Sequence, residues 1–433
     1  MQEERNNAKM TSNTTEIMRL PEPVKFVLGR LEKNGFHAYA VGGCVRDHLM
    51  GRVPGDYDVT TNALPEEMLR VFSDCRVVET GLKHGTLTVV REGMNIETTT
   101  YRIDGTYDDG RHPDSVTFTD KLSDDLMRRD FTINAMAYSP ERGIVDLYGG
   151  RDDLQKKTVR CVGCAADRFS EDGLRILRAL RFSSVLGFTP DKECSDAVIS
   201  LTHLLEKISR ERIWAELGKL LCGQNCSEIL SAYPTVVAFV LPQLSEDHVK
   251  SAAEKIAALD RLYPGHRDLC LRCALLFSDI APDKAAAAVD SLKTSRDEKR
   301  RILDFIKHRT AFAEDCSAYT IKKLISRTHD AFPSDLAVFL SAEGSITKDT
   351  ADLVIREEAD IISRGECRSL TQLMIGGNDL ISLGLRGQVI GSTLAALLDA
   401  VMRGECANER GELEAKAREM NEECRVKENT TIS

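Results

Sequence analysis

Apolar residues return every three or four positions in "PVKFVLGRLEK" (23–33), a spacing that predicts an amphipathic helix. "FHAYAV" (36–41) reads as a short strand, and a glycine pair follows it. The pattern then predicts a helix over "CVRDHLM" (44–50) and a strand over "DYDVTT" (56–61). Next comes a helix over "LPEEMLRVF" (64–72), with Pro and acids in its first turn. "GTLTVV" and "NIETTTYR" alternate as strands around the turn "REGM". "IDGTYDDGRHPDSVTF" (103–118), rich in Gly, Asp and Pro, is expected to be a loop. A helix over "LSDDLMRRDFTINAMAY" (122–138) and a strand over "GIVDLYG" (143–149) complete a mixed unit. From Ala166 onward strand signals nearly vanish, and helical patterns follow with breaks at "GFTPDK", "CGQNC", "LYPGHRD" and "MIGGND". The expected fold is an α+β N-terminal head, a mixed sheet with helices, followed by an all-α neck, body and tail.

At 433 residues the chain is too long for one core. The expected divisions are 21–150, 151–223, 224–330 and 331–433. No stretch approaches the roughly 18 apolar residues of a membrane span, and the first twenty residues lack the apolar segment of a secretory signal. Thirteen cysteines scattered through apolar runs read as reduced, buried thiols, which implies a cytoplasmic setting. Two CxxC pairs, Cys161/Cys164 and Cys270/Cys273, lie more than a hundred residues apart, against about 20 between the halves of a structural zinc site. A net charge of −10 argues against indiscriminate nucleic-acid binding. Residues 293–327 run the other way, with ten Lys/Arg against five Asp/Glu, as a solvated helix face or a local basic surface would.

The polar clusters concentrate near the N-terminus. Gly42-Gly43 leads into a helix start, where free N–H groups suit an anion, and Arg46 adds a charged fork. Asp56 and Asp58, one residue apart on a strand, project from the same face and repel each other unless a cation lies between them. Such carboxylates suit Mg²⁺ shared with substrate phosphates. Glu97 is a candidate third carboxylate. "RRDFTINAMAY" offers Arg129 for phosphate and Asn134 for a ribose hydroxyl. In "FSEDGLRILRALRF", Ser170 reads as a helix N-cap, and Asp172, Arg175, Arg178 and Arg181 recur every three residues. A salt-bridged helix accounts for that row, and so does base recognition. An Asp beside an Arg complements the amino donor and ring-nitrogen acceptor that adenine and cytosine share. Guanine and uracil present the reverse order and are repelled.

These clusters, in this order and spacing and together with "ISRERIWAELGKLL" (208–221), resemble the class II tRNA nucleotidyltransferase (CCA-adding enzyme) and bacterial poly(A) polymerase family, within the polymerase β-like superfamily. The resemblance is dense over residues 26–221, thins through the helical body, and returns at "GGNDLISLGLRGQVIGSTLAALLDAVMRGE" (376–405), similar to a tRNA-contacting tail. It implies that Gly43 and Arg46 bind triphosphate and that Asp56 and Asp58 are catalytic and hold Mg²⁺. Arg129 and Asn134 would contact the nucleotide, and Asp172 and Arg175 would read the base. Arg178 and Arg181 would support phosphate and template geometry. The implied activity transfers CMP, CMP and AMP from CTP and ATP to the 3′ end of tRNA, contacting the acceptor stem and releasing pyrophosphate. Poly(A) addition, CC-only addition and A-only addition share the same pocket and stay open, as does the oligomeric state. An RNA-binding protein with an inactive head is the reading from another class, and the intact Asp56/Asp58 pair speaks against it. One departure stands out: Ser278-Asp279 occupies a place where some relatives carry the His-Asp of a phosphohydrolase domain, so no such activity is expected. The loop at 103–116 is the expected switch between C and A addition.

Overall fold

The structure is a computed structural model that describes residues 17–105 and 115–431, the last nine of these by backbone alone. The chain divides into two compact units, Met1–Pro242 and Gln243–Ser433.

The first unit is built on a seven-stranded mixed sheet. Helix α1 (Glu22–Lys33) buries Val24, Val27, Leu28 and Leu31, the stripe that its three-to-four spacing predicts. Strand β1 (Ala38–Val41) leads through Gly42 into α2 (Gly43–Leu49). Then follow β2 (Asp58–Thr61), α3 (Pro65–Val71), β3 (Arg76–Val78), β4 (Thr86–Arg91) and β5 (Met94–Thr100). Strands β6 (Arg102–Asp104) and β7 (Val116–Phe118) form a small hairpin at the root of the expected loop. Residues 106–114, the middle of that loop, lie outside the described residues.

The sheet is completed by β8 (Met136–Ser139) and β9 (Gly143–Asp146), giving the order β3-β4-β5-β2-β1-β8-β9. Strand β2 runs antiparallel to β1 and parallel to β5. One face of the sheet packs Ala38, Ala40, Val59 and Ile96 into a core with α1 and α3. The opposite face carries Tyr39, Val41 and Ala137, packed against Tyr101 and Leu126. Register places Asp58, Thr60 and Glu97 on that second face.

The helix expected over 122–138 is a correction. Helix α4 (Leu122–Met127) ends after six residues, Thr132–Asn134 form one 3₁₀ turn, and β8 begins at Met136. "MAYS" is buried at every position beside β1, so sheet pairing overrides helix propensity there.

The remainder of this unit is helical apart from β10 (Thr158–Val159) and β11 (Thr189–Pro190), each two residues long. Its helices are α5 (Gly150–Gln155), α6 (Ala165–Glu171), α7 (Leu174–Leu186), α8 (Lys192–Ser200), α9 (Arg210–Leu221), α10 (Cys226–Ala232) and α11 (Pro234–Val240). Ser170 is not an N-cap. It lies inside α6, donating to the Ala166 carbonyl, and the chain breaks at Asp172-Gly173 before α7. A Cβ on Gly173 would stand 2.9 Å from the Leu204 carbonyl oxygen, so the break needs glycine for close approach.

The second unit is all-α among its described residues, with α12 (Glu246–Leu262) through α21 (Arg410–Thr431). Leu373, Leu380, Leu397 and Leu413 anchor a core near its C-terminal end. The basic stretch 293–327 falls largely on helices here. Five of its cations are ion-paired: Lys299 with Asp290, Arg300 with Asp297, Arg301 with Asp268, Arg309 with Glu343 and Lys322 with Glu366. The twelve described cysteines are all free thiols, and Cys164 is exposed rather than buried as expected. Among the described residues no helix is long and apolar enough to cross a membrane.

Candidate active site

Asp58 opens β2, and its register partner on the parallel neighbour β5 is Glu97. Asp56, two residues earlier, and these two side chains are all exposed, while their chain neighbours Tyr57, Val59 and Ile96 are buried. Register thus places Glu97, the candidate third carboxylate, directly beside Asp58. Solvent reaches Asp58, yet protein hems it in on the remaining sides. Burial, then the charges of Asp56 and Glu97, push its carboxyl up to about 6, against the pull of Arg129. Charge crowding of this kind is what a bound cation relieves. Among the described residues no three His, Cys, Asp or Glu close around an ion. An open oxygen set of this sort fits Mg²⁺, which keeps waters and takes further ligands from phosphates.

The other side of this region is built around a glycine. Gly42 sits at φ 80°, ψ −127°, and its N–H donates to the Met136 carbonyl across the sheet. A Cβ there would lie 3.0 Å from Arg129 Nη1, so the guanidinium rests where any other residue would put a side chain. Arg129 is tethered by Nη2 to Asp125 (3.4 Å), and its buried Nε has no hydrogen-bond partner among the described residues. An orphaned arginine donor beside a glycine turn and a helix start suits an oxyanion.

Arg46 reaches the same region from α2. It donates from Nε to Asp47 (2.8 Å) and from Nη1 to Asn134 Oδ1 (2.7 Å), with its guanidinium 5.3 Å over the Phe182 ring. Asn134 Nδ2 in turn donates to Asp130 Oδ1 (3.2 Å). Asp130 also accepts from the Phe131 N–H (2.8 Å) and from Arg178 Nε (2.9 Å) and Nη2. Burial opposes its ionisation, but the Arg178 charge and hydrogen bonds outweigh that and hold the carboxyl at about 2. Glu216 on α9 completes the chain, 2.7 Å from Arg181 Nε and 3.8 Å from Arg178.

The structure thus brings Gly43, Arg46, Arg129, Asn134, Asp56 and Asp58 into one region. Arg178 and Arg181 are engaged by acids on neighbouring elements. The pair expected to read the base is arranged otherwise than a simple Asp–Arg couple. Asp172 accepts from Leu174 N–H (3.0 Å) and from Arg212 Nη2 (2.8 Å). Arg175 donates to Glu171 (2.5 Å) and to the carbonyls of Arg168 (3.0 Å) and Arg128 (3.3 Å). Sequence reasoning missed Asp125, Asp130, Glu171, Arg212 and Glu216. The last two lie within the "ISRERIWAELGKLL" segment already singled out, which was their one signal.

A glycine turn at a helix start beside strand carboxylates, on a mixed sheet of this order, is the arrangement of a nucleotidyltransferase head. Comparison with known proteins narrows the class. Residues 38–160 match the poly A polymerase head domain, and residues 187–233 match the probable RNA and SrmB-binding site of polymerase A. The CCA-adding enzyme of Limosilactobacillus fermentum is 34% identical over 393 residues, which cover 90% of this chain and 94% of that one. That of Geobacillus kaustophilus is 45% identical over 204 residues, 47% of this chain and 50% of that one. Bacillus stearothermophilus CCA-adding enzyme, solved in complex with CTP, superposes with a TM-score of 0.69 at 28% identity, covering 95% of this chain and all of that one. The chain belongs to the CCA-adding enzyme family of tRNA nucleotidyltransferases.

Proposed function

We propose that this protein adds CCA to tRNA, transferring CMP, CMP and AMP from CTP and ATP to the 3′ hydroxyl and releasing pyrophosphate, without a nucleic-acid template. The observation that carries the reading is the Asp58–Glu97 strand pair with Asp56 alongside, close to Arg129, which itself rests against the Gly42 turn. Asp56 and Asp58, with Glu97 in support, would hold Mg²⁺. When bound, the ion lowers the pKa of the attacking hydroxyl and neutralises charge on the departing pyrophosphate.

The chain's own residues bind and orient. Gly43, Arg46 and Arg129 hold the triphosphate, and Asn134, aimed by Asp130, meets the nucleotide. Asp172 and Arg175 read the donor–acceptor edge common to cytosine and adenine. A site that hydrogen-bonds its substrate rejects a mismatched one by about 10⁴ or more. Arg175 is ion-paired to Glu171, and its guanidinium has further N–H groups beyond that pair. Residues 21–150 serve as catalytic head, 151–223 as nucleotide-selecting neck, 224–330 as body and 331–433 as tRNA-binding tail. The free thiols support a cytoplasmic setting.

The test is product sequencing. The full chain, Mg²⁺, CTP and ATP are incubated with tRNA ending before CCA, with tRNA ending in CC, and with an unrelated RNA. Completed CCA on both tRNAs and little extension of the unrelated RNA is the expected outcome. A product stalled at CC, A addition alone, or oligo(A) on the unrelated RNA would each replace this reading with a narrower relative.

A further inference from the structure

Asp172 belongs to no helix. It lies between α6 and α7 with extended backbone (φ −139°, ψ 104°), so no regular element fixes where its carboxylate points. Two hydrogen bonds do that instead. Leu174 N–H reaches Oδ1 at 3.0 Å, and Arg212 Nη2 on α9, forty positions along the chain, reaches Oδ2 at 2.8 Å. One bond alone would leave the carboxylate free to rotate about it, whereas two bonds to different oxygens fix its plane. Each oxygen has two lone pairs, so the clamp still leaves an acceptor direction for a base amino group. The side chains of Arg212 and Asp172 are only 23% and 15% exposed, which shields the pair from the solvent screening that weakens surface ion pairs. Arg175 does not share this duty, being bound to Glu171 and two carbonyls.

We propose that Arg212 is a positioning residue for nucleotide selection: it aims the Asp172 carboxylate at the amino group of cytosine or adenine. The inference rests on the reading of Asp172 as a base-reading residue and names what holds that residue in place. A carboxylate fixed in plane opposes the carbonyl that uracil or guanine would bring. A carboxylate free to turn yields to it, and the penalty on the wrong nucleotide falls.

The experiment measures kcat/KM on the full chain for CTP and UTP with tRNA ending before CCA, and for ATP and GTP with tRNA ending in CC. Three variants are compared: Arg212→Met, Arg212→Lys and Asp172→Asn. Folding is followed by fluorescence of Trp214, two residues from the substitution. In Arg212→Met the CTP/UTP and ATP/GTP ratios should fall about ten- to a hundredfold, the range expected on losing one charge-assisted bond. Arg212→Lys, which keeps a point charge without the fork, should fall between wild type and Met. A merely structural residue would lower all four rates together and leave the ratios alone. Unchanged ratios in Arg212→Met, with ratios lost in Asp172→Asn, overturn the proposal. Unchanged ratios in Asp172→Asn overturn the base-reading role itself and the proposal with it. Should Arg212→Met fail to fold, Arg212→Lys decides: a several-fold shift in the ratios supports the proposal, and unshifted ratios overturn it.

Discussion

Replacing Asp130 by Asn removes a charge and keeps the shape, so it isolates what that charge contributes. The side chain is buried, at 8% exposure, and accepts from the Phe131 N–H, Asn134 and two nitrogens of Arg178. Its carboxyl is held at about 2 against an ordinary 3.8. At about 1.4 kcal/mol per pK unit, the ionised form contributes about 2.5 kcal/mol to the first unit's stability at neutral pH. The folded value lies below the unfolded one, so the contribution is complete above about pH 5 and is lost as pH falls through about 2. Near pH 3 about half of it should remain. Asp130→Asn should therefore unfold with about 2–3 kcal/mol less stability at pH 7, and its deficit relative to wild type should narrow as the pH approaches 3. Urea titration read by Trp214 is the assay, because the only tryptophan lies on α9 in the same unit. The substitution should also raise KM for CTP and ATP, since an amide N–H₂ that meets Arg178 must shift, and the shift disturbs the bond to Asn134 and through it Arg46. A deficit below about 0.5 kcal/mol, or one that stays constant from pH 7 to pH 3, would refute the reasoning.

Asp56→Ala or Asp58→Ala should lower incorporation of both nucleotides by about 10³-fold or more while the Trp214 unfolding curve stays close to wild type. Near-normal turnover with Mg²⁺ in either variant would remove the carboxylates from the reaction. Asp172→Ala should raise UTP and GTP incorporation relative to CTP and ATP, and selectivity unchanged across the four nucleotides would refute base reading by this residue. Gly42→Ala should cost on the order of 1–3 kcal/mol of stability and weaken triphosphate binding, because its φ is positive and its Cβ meets Arg129; an unaltered KM would separate the turn from the phosphate site.

The elements most legible in the sequence were those whose pattern and burial agree. The α1 stripe, the Asp58 strand and the glycine turn before α2 each follow from local spacing, and each stands where that spacing places it. The segment 122–138 misled because its apolar residues suit either period. What decides is β1, nearly a hundred positions earlier, which supplies the hydrogen-bonding edge that β8 occupies. Asp172 misled in a related way. The every-third-residue row from Asp172 to Arg181 looks like one continuous helix face, but Gly173 breaks it, because the backbone must pass close to the Leu204 carbonyl.

The site was legible in its residue types and much less so in its connections. Asp56 and Asp58, one residue apart, point locally to a candidate cation site, although Asp56 falls just before β2 rather than on it; nothing near Asp130 says that it will face Arg178, or near Glu216 that it will face Arg181. These links run between α2, the 3₁₀ turn, α7 and α9, and they exist only once the elements have packed. They also explain why so many charges lie at low exposure in this unit. A buried charge is costly to desolvate and tolerable only with partners in place. Arg46, Asn134, Asp130, Arg178 and Glu216 supply one another with such partners in a continuous chain. That chain joins the helix start expected to bind triphosphate to the helix that follows Asp172. A network of this kind is coupled, so displacing Arg46 at one end changes what Arg178 meets at the other. The same low-exposure charges that hold the first unit together therefore also link the start of α2 to α7, the two places where the proposed function puts a nucleotide's phosphates and its base.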